Sequence, residues 1–159
     1  MTSAAGRMSI SIRRATPGDR DVLVAFNRDM AAESEDKGLD RPTLERGVEH
    51  LFEHPEEGYY LVAETGPGEI VGAMLLTFEW SDWRNGRFWW IQSVFVRRQW
   101  RRRRVYTQLH AYVRERARRD ADACGLRLYV EKGNSGAQAT YRALGMHETH
   151  YQLWEEDFT

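Results

Sequence analysis

The stretch WWIQSVFVRRQWRRRRVYTQLHAY, Trp89 to Tyr112, decides the fold. Trp89–Val96 is dense in aromatic and β-branched residues and long enough for a buried strand, with Gln92 and Ser93 as polar members inside it. Residues 97–104, RRQWRRRR, then hold six arginines in eight positions. Val105, Leu109, Tyr112 and Val113 follow at three- and four-residue spacing, as one face of a helix does. A strand that turns into a helix leaves backbone N–H groups unpaired and presents the positive end of the helix dipole. Arginines at that turn add full charges and bidentate hydrogen bonds. The combination predicts a site for a polyphosphate anion near residues 101–107. Two readings compete with it. One is a solvated charged loop. The other is contact with nucleic-acid phosphates, for which Trp100 offers a stacking surface.

Residues 91–109, IQSVFVRRQWRRRRVYTQL, resemble the acetyl-CoA-binding segment of the GNAT superfamily of N-acetyltransferases, a strand, an R/Q-x-x-G-x-G/A turn and a helix. In that register Arg101 is the lead-in arginine, Arg102 opens the motif, and Arg104 and Tyr106 stand where the two glycines belong. Residues 126–146, LRLYVEKGNSGAQATYRALGM, resemble the family's closing segment. It runs as a strand, Asn134, a helix with Ala137 and Tyr141, then Gly145 and an apolar residue.

The resemblance implies an α/β fold, a mixed sheet with helices on both faces, and one domain over residues 9–159 after a loose tail at 1–8. It implies acetyl-CoA as cosubstrate, with its pantetheine amides on the backbone of Val94, Phe95 and Val96 where two strands splay apart. Its phosphates would lie against Arg101, Arg102, Arg103, Arg104, Val105, Tyr106 and Thr107. Asn134 would bond the cofactor, cap its helix, or do both. Tyr141 takes the place of the tyrosine that protonates the leaving thiolate. Both glycine positions carry bulk. An arginine at a helix start can keep a negative φ, and Arg104 is expected to do so, with its side chain turned from the phosphates.

Many family members carry a glutamate where Gln92 stands, and a glutamine cannot take a proton. Glu33, Glu79 and Glu131 remain open as bases acting through water. On the substrate side, two acidic stretches suit a cationic amine. One is Glu33, Glu35 and Asp36 after the first helix; the other is Glu79 to Trp83, with Asp82 between two tryptophans and Gln92 beyond. Trp80–Val96 also resembles, over a short stretch, the polyamine acetyltransferases. The same tryptophans would equally suit a sheet edge or a homodimer interface.

Composition sets the limits. The 159 residues carry a net charge of −1, so the arginine cluster is a local field, which argues against a nucleic-acid-coating protein. A single cysteine, Cys124, excludes an internal disulfide and reads as a small residue at a loop end. His50, His54, His110, His147 and His150 read as scattered, with no metal-ligand spacing, so no metal is expected. No signal peptide or spanning segment is visible, which points to the cytoplasm.

The remaining elements are a first strand at Ser9–Ala15, a helix opened by Thr16-Pro17, a second helix after Pro42-Thr43, and strands at Tyr59–Glu64 and Ile70–Trp80. The key strand and a helix at 105–119 follow, then a strand at Leu126–Glu131, a short helix from Ser135, and a last strand at His147–Trp154. The expectation is an acetyl-CoA-dependent N-acetyltransferase acting on the primary amine of a small molecule, a polyamine or other cationic amine, or of a protein. The alternative is a non-catalytic acyl-CoA- or nucleic-acid-binding module.

Overall fold

The computed structural model describes residues 9–159, so the tail expected at 1–8 lies outside the described residues. Its elements are β1 (Ile10–Arg14), α1 (Arg20–Glu35), α2 (Arg41–Glu53), β2 (Gly58–Thr65), β3 (Ile70–Ser81), β4 (Gly86–Val96), α3 (Val105–Arg119), β5 (Ala123–Leu128) and α4 (Ser135–Ala143). Two compact units divide the chain, one ending at Tyr129 and the other spanning Val130–Thr159.

The first unit is built on a five-stranded sheet in the order β1-β2-β3-β4-β5. Its first three pairings are antiparallel and the β4–β5 pairing is parallel. Alternation along β2 shows how the sheet feeds two cores. Leu61 and Ala63 join Met74, Leu76, Trp89 and Ile91 beneath Val105, Leu109 and Val113 of α3. Tyr60 and Val62 face the other way, against Leu23, Val24 and Phe26 of α1 and Val48 of α2. The mixed sheet with helices on both faces is therefore present.

Local chemistry sets the helix ends. Thr16 donates its backbone N–H to Asp19 Oδ2 at 2.8 Å, and Pro17 follows, the predicted start before α1. Asp36, at φ 48°, ends α1, so Glu33 lies within the helix rather than in the loop expected there. Asp40 caps α2 by accepting the Thr43 N–H at 3.0 Å.

Two strand expectations need correction. The strand placed at Leu126–Glu131 lies at Ala123–Leu128, and it holds Cys124, which is therefore not at a loop end. The last strand expected at His147–Trp154 does not form. Apolar residues alternate there only at Tyr151 and Leu153, Trp154 breaks the period, and the segment pairs with no strand among the described residues.

Candidate functional site

The site begins at a defect in β4. Leu75 of β3 pairs with Ser93, but Leu76 pairs with Ile91, so Gln92 is the extra residue of a β-bulge. Pairing with β5 ends at Ile91 and Leu128. From Ser93 to Val96, β4 keeps its β3 partner and presents an unpaired edge on the other side. Val94 and Val96 turn their side chains into the α3 core. Phe95 turns the opposite way and lies 4.8 Å from the Phe26 ring. What this edge offers a ligand is backbone N–H and C=O groups.

The arginine turn follows. Arg97 donates Nε–H to the Ile70 carbonyl at 2.8 Å. Arg98–Trp100 is a single 3-10 turn, and Trp100 is buried within the α3 core. It therefore presents no stacking surface, which corrects that part of the nucleic-acid reading. Arg101 is also committed. Its Nε–H goes to the Val96 carbonyl at 3.0 Å and its Nη2 to Glu33 Oε2 at 2.6 Å. Arg98 approaches the same carboxylate at 3.6 Å. Glu33, expected on the substrate side, is thus the counter-ion of the turn, and Arg101 is the main cause of its carboxyl lying below the usual range.

Arg102, Arg103 and Arg104 are left exposed. Arg103 rests 5.4 Å from the Trp100 ring. Arg102 and Arg104 have φ of 61° and 63°, which overturns the expectation of a negative φ at Arg104. The backbone is left-handed at both positions although arginine fills them. An L-residue with a Cβ is disfavoured there by roughly 1–2 kcal/mol, which explains why the family motif prefers glycine at the Arg104 position. Val105 opens α3 with no side-chain cap on its start. Tyr106 and Thr107 are half-buried in its first turn, Tyr106 with its ring 5.9 Å from His110.

These residues fit acetyl-CoA. An unpaired strand edge leads into an uncapped helix start ringed by exposed arginines, which matches an elongated ligand with amides along its arm and phosphates at its end.

A second feature lies beside the bulge. Cross-strand partners Thr77 and Trp90, and Glu79 and Phe88, share one sheet face, with Arg127 next to Trp90. Gln92 Oε1 accepts from the Thr77 hydroxyl at 3.4 Å. Glu79 is ion-paired with Arg127, whose guanidinium lies 3.6 Å over the Phe88 ring. Trp90 packs at 4.8 Å from Tyr129, which is 49% exposed. Beyond Glu79 come Trp80, 61% exposed, and Trp83, 88% exposed, with Asp82 accepting the Trp83 N–H at 2.9 Å. Glu35 is exposed at the end of α1.

In the second unit Asn134 accepts the Ala137 N–H at 3.1 Å, so it caps α4. Glu131 supplies its backbone carbonyl to Asn134 N–H and to the Gln138 amide. Tyr141 is half-buried, and burial raises its hydroxyl above the ordinary phenol value, which keeps it protonated at neutral pH. Gly145, at φ 91°, ends the helix as predicted.

Sequence reasoning missed one cluster. His50, in the last turn of α2, and His54, the residue that caps its C-terminal end, were read as scattered but stand four residues apart and stack at 4.3 Å. Their spacing within an expected helix was the signal. Among the described residues, no helix is long and apolar enough to cross a membrane.

The chain matches the acetyltransferase (GNAT) family over residues 23–146. A possible acetyltransferase from Clostridium difficile 630 is 40% identical in sequence, with a TM-score of 0.87 over 94% of this chain and 98% of that one. The aminoglycoside N-acetyltransferase AAC(6')-Iy, solved with CoA, shares the fold at 15% identity, with a TM-score of 0.78 over 96% and 97%. So does a transcriptional regulator from Bacillus halodurans C-125, at 23% identity and a TM-score of 0.79 over 94% and 100%. No curated protein sequence matches the chain.

Proposed function

The chain belongs to the acetyltransferase (GNAT) family and is an acetyl-CoA-dependent acetyltransferase, and on that premise we propose that it acetylates the primary amine of a small cationic molecule. The observation that carries the proposal is the acid-and-aromatic face beside the bulge, where Glu79 lies diagonally across the strands from Trp90, which packs on the half-exposed Tyr129. Carboxylates and aromatic faces together attract an ammonium group by ion pairing and cation–π contact. Di- and polyamines are the first class to try.

Acetyl-CoA, when bound, supplies an acetyl thioester. The backbone of Val94–Val96 and the start of α3 bind and orient the donor, with Arg102, Arg103 and Arg104 at its phosphates. Tyr141 holds a proton on its hydroxyl, ready for the thiolate that departs. Gln92 orients and takes no proton. Glu33 is engaged by Arg101 and Arg98 as the counter-ion of the arginine turn. The amine therefore enters neutral or gives its proton to water, with Glu79 the nearest carboxylate to the bulge by strand register.

The test is a panel of amines scored by release of free thiol from acetyl-CoA. Turnover should concentrate on small polycations, and Glu79→Gln should raise KM for them more than it lowers kcat, because binding rather than chemistry is lost. Turnover confined to lysine peptides would move the acceptor to a protein amine. Turnover indifferent to the charge of the amine would remove Glu79 from recognition.

A further inference from the structure

Away from the transfer site, α2 ends and the chain turns into β2 through EHLFEHPEE, residues 49–57. We propose that His50, His54 and Glu57 form a binding site for a divalent transition metal of the zinc class. Four-residue spacing on a helix puts two side chains on one face, one turn apart. The structure shows this pair with ring centroids 4.3 Å apart and planes within 26°. The backbone then brings in a third donor. His54 N–H closes on the His50 carbonyl at 2.9 Å, Glu57 N–H on the His54 carbonyl at 3.0 Å, and Glu57 Oε2 comes within 2.9 Å of His50 Nε2. One ring nitrogen from each histidine and a Glu57 oxygen all lie within 4.8 Å of one another. Small side-chain rotations bring three such atoms to the roughly 2.0–2.2 Å bond lengths that zinc requires.

The donor set selects the metal. Two imidazole nitrogens with one carboxylate suit zinc, nickel or copper, whereas magnesium and calcium favour all-oxygen shells. The surroundings favour a cation as well. Residues 49–57 carry four glutamates and no lysine or arginine. The site also sits at the negative end of the α2 dipole. Arg46, one turn earlier, is directed back to the Thr43 hydroxyl at 3.3 Å. Glu56 now pairs with His54 Nδ1 at 3.1 Å and stands ready to accept a hydrogen bond from a metal-bound water. Bound there, the metal fastens the last turn of α2 to the strand that follows, and it touches none of the residues assigned to acetyl transfer.

The experiment titrates zinc chloride into the unmodified chain by calorimetry and follows melting with and without the metal, with magnesium as the hard-cation control. Cobalt(II) serves as a spectroscopic probe of a nitrogen-containing coordination shell. The expected result is one zinc per chain and a melting point raised by roughly 5–10 °C at free zinc about 100-fold above Kd. Magnesium should have no effect. Loss of a supporting residue around a metal typically costs ~10–100-fold in affinity, and loss of a ligand in His50→Ala or His54→Ala should cost at least that. Glu57→Gln should weaken binding less. All three positions are at least partly exposed, so the variants should fold; circular dichroism checks this, and His50→Gln and His54→Gln stand in for any that does not. The double variant His147→Ala, His150→Ala should bind zinc unchanged. No zinc binding by the unmodified chain, equal binding by His50→Ala and His54→Ala, or loss of binding in the His147/His150 variant would each overturn the proposal.

Discussion

The two helix starts that the family motifs converge on, Arg104 before α3 and Asn134 before α4, are made in opposite ways. Asn134 closes its helix with its own side chain, so the first turn of α4 is satisfied from within. Arg104 takes a left-handed backbone and gives α3 no side-chain cap. Burial explains why each can afford its arrangement. Val105, Leu109, His110, Val113 and Ala117 of α3 are buried, whereas α4 buries no residue fully. A helix pinned by its core can leave its start open to an anion. A helix without that anchor depends on its cap. The open start is the one proposed to take the ligand, and the closed one begins the helix that carries Tyr141.

The largest effect expected from testing this contrast is chemical. Tyr141→Phe should lower kcat by ~10²–10⁴-fold while acetyl-CoA affinity stays nearly constant, since a positioned proton donor is lost and the open start of α3 is untouched. Steady-state kinetics beside calorimetry checks it, and full activity would remove Tyr141 from the reaction.

The burial that anchors α3 has its own signature. His110 is fully buried with neither ring nitrogen hydrogen-bonded among the described residues, and burial, with a smaller contribution from the Arg114 charge, lowers its pKa from the ordinary imidazole value. The neutral ring is the folded form. Below about pH 6.5 the unfolded chain binds a proton that the folded chain refuses, so stability is full above that value and declines as pH falls through it, by at most ~1.4 kcal/mol per unit. Melting curves between pH 8 and 5 should show the decline, and His110→Leu should flatten it. An unchanged slope would assign the acid sensitivity elsewhere.

The two starts should respond in opposite directions to mutation. Asn134→Ala should destabilise α4 by about 1 kcal/mol, seen as faster amide exchange across Ser135–Ala143. The smallest effect is a gain. Arg104→Gly should relieve left-handed strain and raise stability by up to about 1 kcal/mol, whereas Arg104→Ala, which keeps a Cβ, should not. Equal melting points for Arg104→Gly and Arg104→Ala would show that the turn stores no strain.

What was legible in the sequence follows the range of the forces involved. The α3 bounds, 105–119, were readable because an arginine run gives way abruptly to apolar periodicity. The splaying of the strands at Val94–Val96 was implied by the family resemblance, and the arginine-rich turn between strand and helix followed from local pattern. The bulge at Gln92 was not readable, because register belongs to the partner strand as much as to β4. Nor was the Glu33–Arg101 ion pair, which joins residues 68 positions apart. The positive φ at Arg104 was misread, because a residue at a helix start was taken to keep helical backbone, whereas Arg104 sits outside the helix as a left-handed N-cap. β5 was placed three residues late because its apolar signal starts weakly, with a second bulge at Cys124 between Ala123 and Gly125.

The central claim, that the open start of α3 with its exposed arginines holds the phosphates of acetyl-CoA, is tested most directly by calorimetric titration of acetyl-CoA at several salt concentrations. The unmodified chain should bind, and affinity should fall as salt rises through screening of the charges. Arg102→Ala with Arg103→Ala should weaken binding by roughly 10–100-fold, as loss of charge-assisted hydrogen bonds predicts, while Arg104→Gly should bind as well as the unmodified chain. No binding at low salt, or undiminished binding by the double variant, would contradict the account.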